Sequence, residues 1–513
     1  MIDAIGFDNF RNFEHFPMMH FGKINFLVGK NNAGKSSITK ALRLLMNPAG
    51  GIDPILRGET TSFSFAEPSV GISTFNRAKC SLNQQDEIVF RLSCYDSMRF
   101  SEYYMEFDLI SNGDEPTAEI KRLLLFNKTL CSEIEVTKME GYLLVKFTID
   151  PENRFLLDSS VFNDAFNIIL SPFHKFTVIE HELEALSNKS KGNATCPEAS
   201  ISFKMNTVYL YHDIENLIRG FDAGRRNTGD VTFDEIVFEA KNYHNEPVSR
   251  EVVKMILKYV PHCFGHYTGY YYEGTPSRAI VRLHYMGSTS IVQKVALSVN
   301  DKNDDASQAV FQYWKVEQKY GKMWHRFIEY WMKEFGIGEK FEIETVGGEL
   351  FWVKIFANKE SKEYVYLADK GVGSIRLFFL LLKFASISDY NNTIIIEEPE
   401  QNLHPNVQTK LVDLFFDYCN HSSNQIIIET HSEYMIRYSQ VKVAKLYDEA
   451  EKENKQFKNP FKVFYVNGNG EEPWWELGYN RNGTFKRGVG EGFLDEASNL
   501  DYQILERELE NQK

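Results

Sequence analysis

Twice in the last quarter of the chain three isoleucines run straight into a glutamate. The segments are "TIIIEEPEQNLHP", around Ile394–Ile396, and "NQIIIETHS", around Ile426–Ile428. Runs this short and this apolar predict strands buried on both faces, as in a parallel sheet. Helical spacing surrounds them. "SIRLFFLLLKFASI" precedes the first strand, "HPNVQTKLVDLFFDYC" lies between the two, and "EYMIRYSQ" opens a third helix. Pro405 suits the first turn of the middle helix, where its missing N–H is no loss. The same alternation opens the chain. "AIGFDNF" and "INFLVG" read as strands, and in "KSSITKALRLLMN" Ile38, Leu42 and Leu45 share a helical face. Two α/β pieces at the chain ends are therefore expected to build one sheet around a large middle.

That middle, about residues 60–355, mixes β-like runs ("EIVFRLSCY", "YLLVKFTI", "AIVRLHYM", "FEIETVGG") with helical stretches. The helical stretches are "EPVSREVVKMILKYV" and "QAVFQYWKVEQKYGKMWHRFIEYWMKEF". Polar segments such as "SNKSKGNATCPEAS", "DAGRRNTGD" and "NDKNDDASQ" read as loops. No internal repeat or long heptad pattern is evident. Tyr270, in an aromatic run, reads as packing, and Arg225 and Arg226 as a solvated loop.

Composition narrows the function classes. The 513 residues include 40 Phe and 26 Tyr, which excludes global disorder. The formal net charge of −14 argues against generic coating of duplex DNA, which depends on Lys and Arg neutralising phosphates. Six scattered cysteines without a CxxC pair suggest neither a zinc site nor a disulfide framework. The N-terminus lacks a signal-peptide pattern, and the longest apolar run, Leu377 to Leu382, is far too short to span a bilayer. A soluble, cytoplasmic protein is expected.

Chemistry enters at "GKNNAGKSS", residues 29–37, which matches GxxxxGK[ST] between a strand and a helix. Gly29 and Gly34 let the backbone curl so that the N–H groups of the loop, including Asn31 and Asn32, point at phosphate oxygens. The N-terminus of the following helix, with Ser37 in its first turn, adds its positive end. Lys35 places a charge on the β/γ-phosphates, and the Ser36 hydroxyl suits Mg²⁺. Such a site needs a carboxylate at a neighbouring strand tip to hold the metal through water, and a residue to polarise the attacking water. Glu397 and Glu398 supply these roles from consecutive positions. Two adjacent carboxylates are costly unless a cation lies near them, and Mg²⁺ with a nucleotide provides one. His431, at the tip of the next strand, can reach the γ-phosphate or the water.

Together these motifs resemble the ABC-type ATPase heads of the OLD, RecF and SMC group. "FDNFRNF" is similar to that group's opening strand, with Arg11 in a nucleotide-proximal position. "GKNNAGKSS" resembles its Walker A motif, "IIIEEPEQNLHP" its OLD-like Walker B and D-loop, and "IIIETHSEYMI" its switch histidine. "DKGVGSIRL", before Walker B, resembles a divergent signature motif. The resemblance places Gly371, Gly373 and Ser374 at a helix N-terminus facing the γ-phosphate of a second subunit. Gln84 and Gln85 are the candidates for the Q-loop. "GFLDE", residues 492–496, is similar to the C-terminal motif of a subset of OLD-like ATPases.

The resemblance implies an α/β fold: an ABC-ATPase head with a P-loop mixed sheet and flanking helices, split by a large α+β insertion. The expected division is residues 1–60 as the first part of the head and 61–360 as further head strands plus insertion. Residues 361–470 would be the second part of the head, and 471–513 a tail standing where other OLD proteins carry a Toprim nuclease, which is not expected here. An Mg²⁺-dependent ATPase working as a head-to-head homodimer, with higher-order assembly, is implied. The nuclease-less subset resembles ATPase subunits of anti-phage systems such as Septu and PARIS, where a separate nuclease or toxin is the effector and a nucleic acid or phage component the trigger. The alternatives are a RecF-like repair ATPase that binds DNA and a non-hydrolysing ATP-dependent scaffold.

Overall fold

The computed structural model describes residues 1–149, 199–206, 241–242 and 282–494, apart from single residues and short runs within those ranges, together with residue 503. The chain divides into two compact units, each built from several chain segments. Gln84, Arg225, Arg226, Tyr270, most of "GFLDE" and the helix expected from "EPVSREVVKMILKYV" lie outside the described residues.

The first unit comprises Met1–His20, Ser36–Arg282 and Gly468–Pro473. Its centre is a ten-stranded sheet of β1 (Ile2–Phe10), β2 (Phe13–His20), β4 (Ser62–Ser64), β5 (Glu87–Asp96), β6 (Ser101–Ser111), β7 (Thr117–Asn127), β8 (Ser132–Met139), β9 (Tyr142–Ile149), β10 (Ala199–Asn206) and β11 (Lys241–Asn242). From β5 to β10 the strands follow one another as antiparallel neighbours, and β1 pairs with both β2 and β5. Antiparallel strands need only short connections, so β5 to β9 fold as a meander, while residues 150–198 separate β9 from β10. Phe7, Phe10, Phe13 and Phe16 are fully buried, with Phe7 stacked on Phe16 at 4.4 Å between ring centres. Charged residues link neighbouring strands: Arg91 pairs with Asp8 and Glu106, and Arg122 with Glu106 and Glu135. The opening strand thus joins this sheet and not that of the P-loop. Both strands are largely buried, so burial alone does not tell the two sheets apart.

The second unit comprises Phe21–Lys35, Leu283–Asn467 and Trp474–Lys513. Its main sheet has six strands: β3 (Ile24–Val28), β12 (Arg282–Met286), β17 (Asn392–Glu397), β18 (Gln425–Glu429), β19 (Phe461–Val466) and β20 (Trp474–Glu476). Their order is β12–β17–β18–β3–β19–β20, with β17, β18, β3 and β19 mutually parallel. The N-terminal strand β3 thus lies between two C-terminal strands, and of the two opening strands expected in this sheet only β3 joins it. Ile394–Ile396 and Ile426–Ile428 are at most 3% exposed, as a sheet covered on both faces requires.

Helices α5 (Val372–Ser386) and α6 (Pro405–His421) cover this core, and Phe384 stacks on Tyr418 at 4.2 Å. Pro405 does open α6. The long helical stretch before α5 is two helices, α3 (Asp305–Tyr320) and α4 (His325–Glu334). Gly321 ends α3 at φ 69°, a left-handed value that favours glycine at a helix C-terminus. A small antiparallel sheet of β13 (Leu297–Ser298), β14 (Lys340–Val346), β15 (Leu350–Phe356) and β16 (Tyr364–Tyr366) completes the unit, with α7 (Glu433–Lys452) near the C-terminal side of the sequence. Among the described residues no helix is long and apolar enough to cross a membrane. Cys80, Cys94 and Cys419 are buried free thiols.

Candidate functional site

The parallel register brings the chemistry together. Glu397 pairs with Glu429, and Glu429 with Leu27, so the ends of β17, β18 and β3 lie level. Three segments leave the sheet there: the turn at residues 398–403, the "THS" turn and the P-loop.

The P-loop, between β3 and α1 (Lys35–Leu45), has two glycines with positive φ, Gly29 at 143° and Gly34 at 101°, and Asn32 at 62°. Gly29 must be glycine for a second reason. A Cβ there would stand 2.2 Å from the Val466 carbonyl oxygen. Asn31 and Asn32 are exposed; Lys35 is buried. Its ammonium group donates to the carbonyl oxygens of Gly29 (3.0 Å) and Lys30 (2.9 Å). Burial pulls the Lys35 pKa below its ordinary value, and the negative charges of Glu429 and Glu398 oppose that pull. Ser36 and Ser37 follow in the first turn of α1.

Glu398 takes a left-handed backbone, φ 46°, which costs a non-glycine residue on the order of 1–3 kcal/mol. Two hydrogen bonds hold it there. Its N–H donates to the Glu429 carbonyl (2.8 Å), and its own carbonyl accepts from the Arg376 guanidinium (3.1 Å). The strained turn aims the Glu398 carboxylate at His431, whose Nε2 lies 3.8 Å away. Both side chains are 38% exposed, so the pair faces solvent. Burial, then the nearby Lys35 charge, lower the His431 pKa, while Glu398 partly restores it. The imidazole is therefore neutral at pH 7, able to accept or donate one proton. Ser432 caps α7 by accepting from the Met435 N–H at 3.1 Å, which fixes the turn that carries His431.

Four residues absent from the sequence-based assignment join this group. Glu429 is buried and is the largest of the charges that oppose the loss of the Lys35 proton. Its signal was available, because it ends its isoleucine run as Glu397 ends the other. Glu400 accepts from the His431 N–H (2.7 Å), and burial raises its pKa. Arg376 joins α5 to residues 398–401 through the Glu398 carbonyl and the Gln401 side chain. Tyr285, on β12, donates its hydroxyl to Glu397 Oε2 at 2.7 Å. Nothing in the local sequence around Arg376 or Tyr285 announces these roles, because both partners are distant in the chain.

Gly371 caps α5, and the space around it is open. Gly373 is different: a Cβ would lie 2.8 Å from the Asn402 carbonyl oxygen and 2.9 Å from Leu403 Cδ2. Packing within the chain already accounts for that glycine. Ser374 follows in the first turn of α5. Arg11 belongs to the first unit, where its guanidinium donates to the Arg77 carbonyl at 3.0 Å. Gln85 is exposed, and its carbonyl accepts from Asn9 at 2.9 Å.

A glycine loop between strand and helix, a buried lysine and carboxylates at neighbouring parallel strand tips define a P-loop nucleotide-binding protein. The sequence profile of a family described as "AAA ATPase domain" matches residues 1–436, and the chain belongs to that family. A curated relative, the uncharacterized protein MJECL10 of Methanocaldococcus jannaschii, is 39% identical over 57 residues, 11% of this chain and 26% of that protein. The chain thus spans about a quarter of that relative's length.

Among solved structures, an SMC head bound to the C-winged helix domain of ScpA aligns over 94% of this chain and 96% of its own, at 10% identity and TM-score 0.37. The SMC head domain from Thermotoga maritima aligns over 91% and 95%, at 9% identity and TM-score 0.28. The recombination mediator RecF with ATPrS covers 91% of this chain, at 12% identity and TM-score 0.31, and 96% of its own length. Superpositions this loose carry no residue roles.

Proposed function

We propose that this chain binds ATP with Mg²⁺ and hydrolyses it between two heads, as a sensor and scaffold subunit controlling a separate nuclease or toxin in anti-phage defence. The observation that carries the ATPase reading is the grouping of buried Lys35 with Glu429, Glu398 and His431 at level strand tips. The OLD-like form of "IIIEEPEQNLHP" and the GxGS segment support the defence step.

In this reading the loop N–H groups of residues 29–34, with Asn31 and Asn32 at its outer turn, bind the β- and γ-phosphates. Lys35 exchanges its two carbonyl partners for phosphate oxygens, which suits an ammonium already stripped of water. Glu398 holds and polarises the attacking water, and His431 shares the charge developing at the γ-phosphate. Gly371, Gly373 and Ser374 serve the site of the second head, and Ser37 the α-phosphate side. Hard oxygen donors from Ser36 and Glu397 suit Mg²⁺, which keeps several waters and shares substrate phosphates. Among the described residues no cluster of three or more His, Cys, Asp or Glu forms a self-sufficient metal cage, and an Mg²⁺ completed by nucleotide needs none. When bound, the ion neutralises charge on the phosphates.

The test separates chemistry from biology. Lys35→Ala is expected to abolish nucleotide binding. Glu398→Gln should keep binding, lose turnover by about 10²–10⁴-fold and accumulate as an ATP-dependent dimer in gel filtration. With its neighbouring genes, the wild type should protect cells from phage and both variants should not. Protection by Glu398→Gln would contradict hydrolysis-driven control and favour the non-hydrolysing scaffold. Tight duplex DNA binding by the chain alone at physiological salt would favour the repair reading instead.

A further inference from the structure

We propose that Tyr285 is a positioning residue for Glu397: its hydroxyl orients the carboxylate that addresses the nucleotide-bound magnesium. This rests on the role given to Glu397 above. Tyr285 lies on β12, the edge strand beside β17, and so 112 residues before the glutamate it touches. Its hydroxyl donates to Glu397 Oε2 at 2.7 Å, a short bond to a charged acceptor. Glu397 is the last residue of its strand, and a carboxylate at a strand end has free side-chain rotation unless something holds it. The phenol fixes one of the two carboxylate oxygens. Outer partners of this kind set the orientation and basicity of a ligating carboxylate.

A second residue shows that the phenol's place is built in. Gly287, two residues on, would put a Cβ 2.8 Å from the Tyr285 hydroxyl oxygen and 3.0 Å from Cε1. Its φ lies outside the left-handed region, so the backbone does not demand glycine there. The Tyr285 ring is the nearest group that a side chain there would meet. A cleft lined by Met286, Gly287, Ile396 and Glu397 opens beside the carboxylate, and a larger residue at 287 would press on the phenol. At the other end of β17, His284 approaches the Asn392 side chain at 3.3 Å, which ties β12 to the same strand independently of Tyr285.

The experiment titrates Mg²⁺ against binding of a fluorescent ATP analogue, alongside metal-free binding and urea unfolding. Tyr285→Phe is expected to raise the Mg²⁺ half-saturation about tenfold, as loss of an outer partner does. Metal-free affinity and the urea midpoint should stay at wild-type values. Gly287→Ala should shift the Mg²⁺ dependence in the same direction, and Glu397→Gln should shift it further. If Glu397→Gln shifts it and Tyr285→Phe does not, the positioning role is wrong while the site reading stands. If neither shifts it, Glu397 is not at the metal and both fall. A loss of stability or metal-free affinity with unchanged Mg²⁺ dependence would make Tyr285 a packing residue and overturn the proposal.

Discussion

Gly29→Ala puts the geometry of the phosphate loop to a quantitative test. The new methyl would stand 2.2 Å from the Val466 carbonyl oxygen, where ordinary contact begins at 3.4 Å, so about 1.2 Å of movement is needed. The obstacle is backbone at the end of a parallel strand. Tyr465 pairs with Val28 immediately before it, and relief must come from parting β19 and β3 at their last rungs. One or two backbone hydrogen bonds are then lost, at about 0.5–1.5 kcal/mol each. The backbone angle of 143° adds strain on the order of 1–3 kcal/mol. The expected destabilisation is about 2–5 kcal/mol, well above the effect of an ordinary surface change.

Gly348→Ala is the control. It shares a positive φ, 72°, in the same unit, but nothing lies within 4 Å of its Cβ. It should cost only about 1 kcal/mol. Urea unfolding measures both, and ATP-analogue binding should be lost in Gly29→Ala alone, because the Gly29 and Lys30 carbonyls that place Lys35 move with the loop. Wild-type affinity in Gly29→Ala, or equal costs for the two substitutions, would refute the reasoning.

Other outcomes follow from the same geometry. Gly373→Ala should push the start of α5 off Asn402 and Leu403, costing about 1–3 kcal/mol. Turnover should fall more than ATP affinity, which steady-state kinetics beside binding would show. His431 has a folded pKa depressed below its ordinary 6.5 by burial and Lys35. Its contribution to stability is therefore intact above pH 6.5 and is lost as pH falls through the lower folded value, where the unfolded chain binds the extra proton. Urea midpoints from pH 8 to 5 should show that acid limb, and His431→Gln should reduce it. Phe384→Ala removes a fully buried ring stacked on Tyr418 and should cost about 3–5 kcal/mol in the same assay, with no change in Mg²⁺ dependence.

Much of the fold was legible because its signals are local. Pro405 at a helix start, isoleucine runs of strand length and the glycine spacing of the P-loop each act through neighbours in the chain. The break at Gly321 was less visible, since aromatic residues keep helical spacing on both sides of it. The opening strand looked like the P-loop strand in text, yet it pairs with β2 and β5. Pairing partners are chosen by long-range packing, which a short apolar run does not encode.

The site divides along the same line. "GKNNAGKSS" and "IIIEEPEQNLHP" by themselves determined a phosphate loop and a strand-end acid pair, because those functions need particular residue types at fixed short spacings. Only the tertiary structure decided that the strand ends are level and that Glu429 charges the same corner as Lys35. Only it showed that Arg376 and Tyr285 hold the two adjacent glutamates. These depend on parallel register and on contacts across more than a hundred residues for Tyr285. A hydrogen bond between distant residues leaves no period or spacing in the chain; it exists only once the sheet has set its strands side by side.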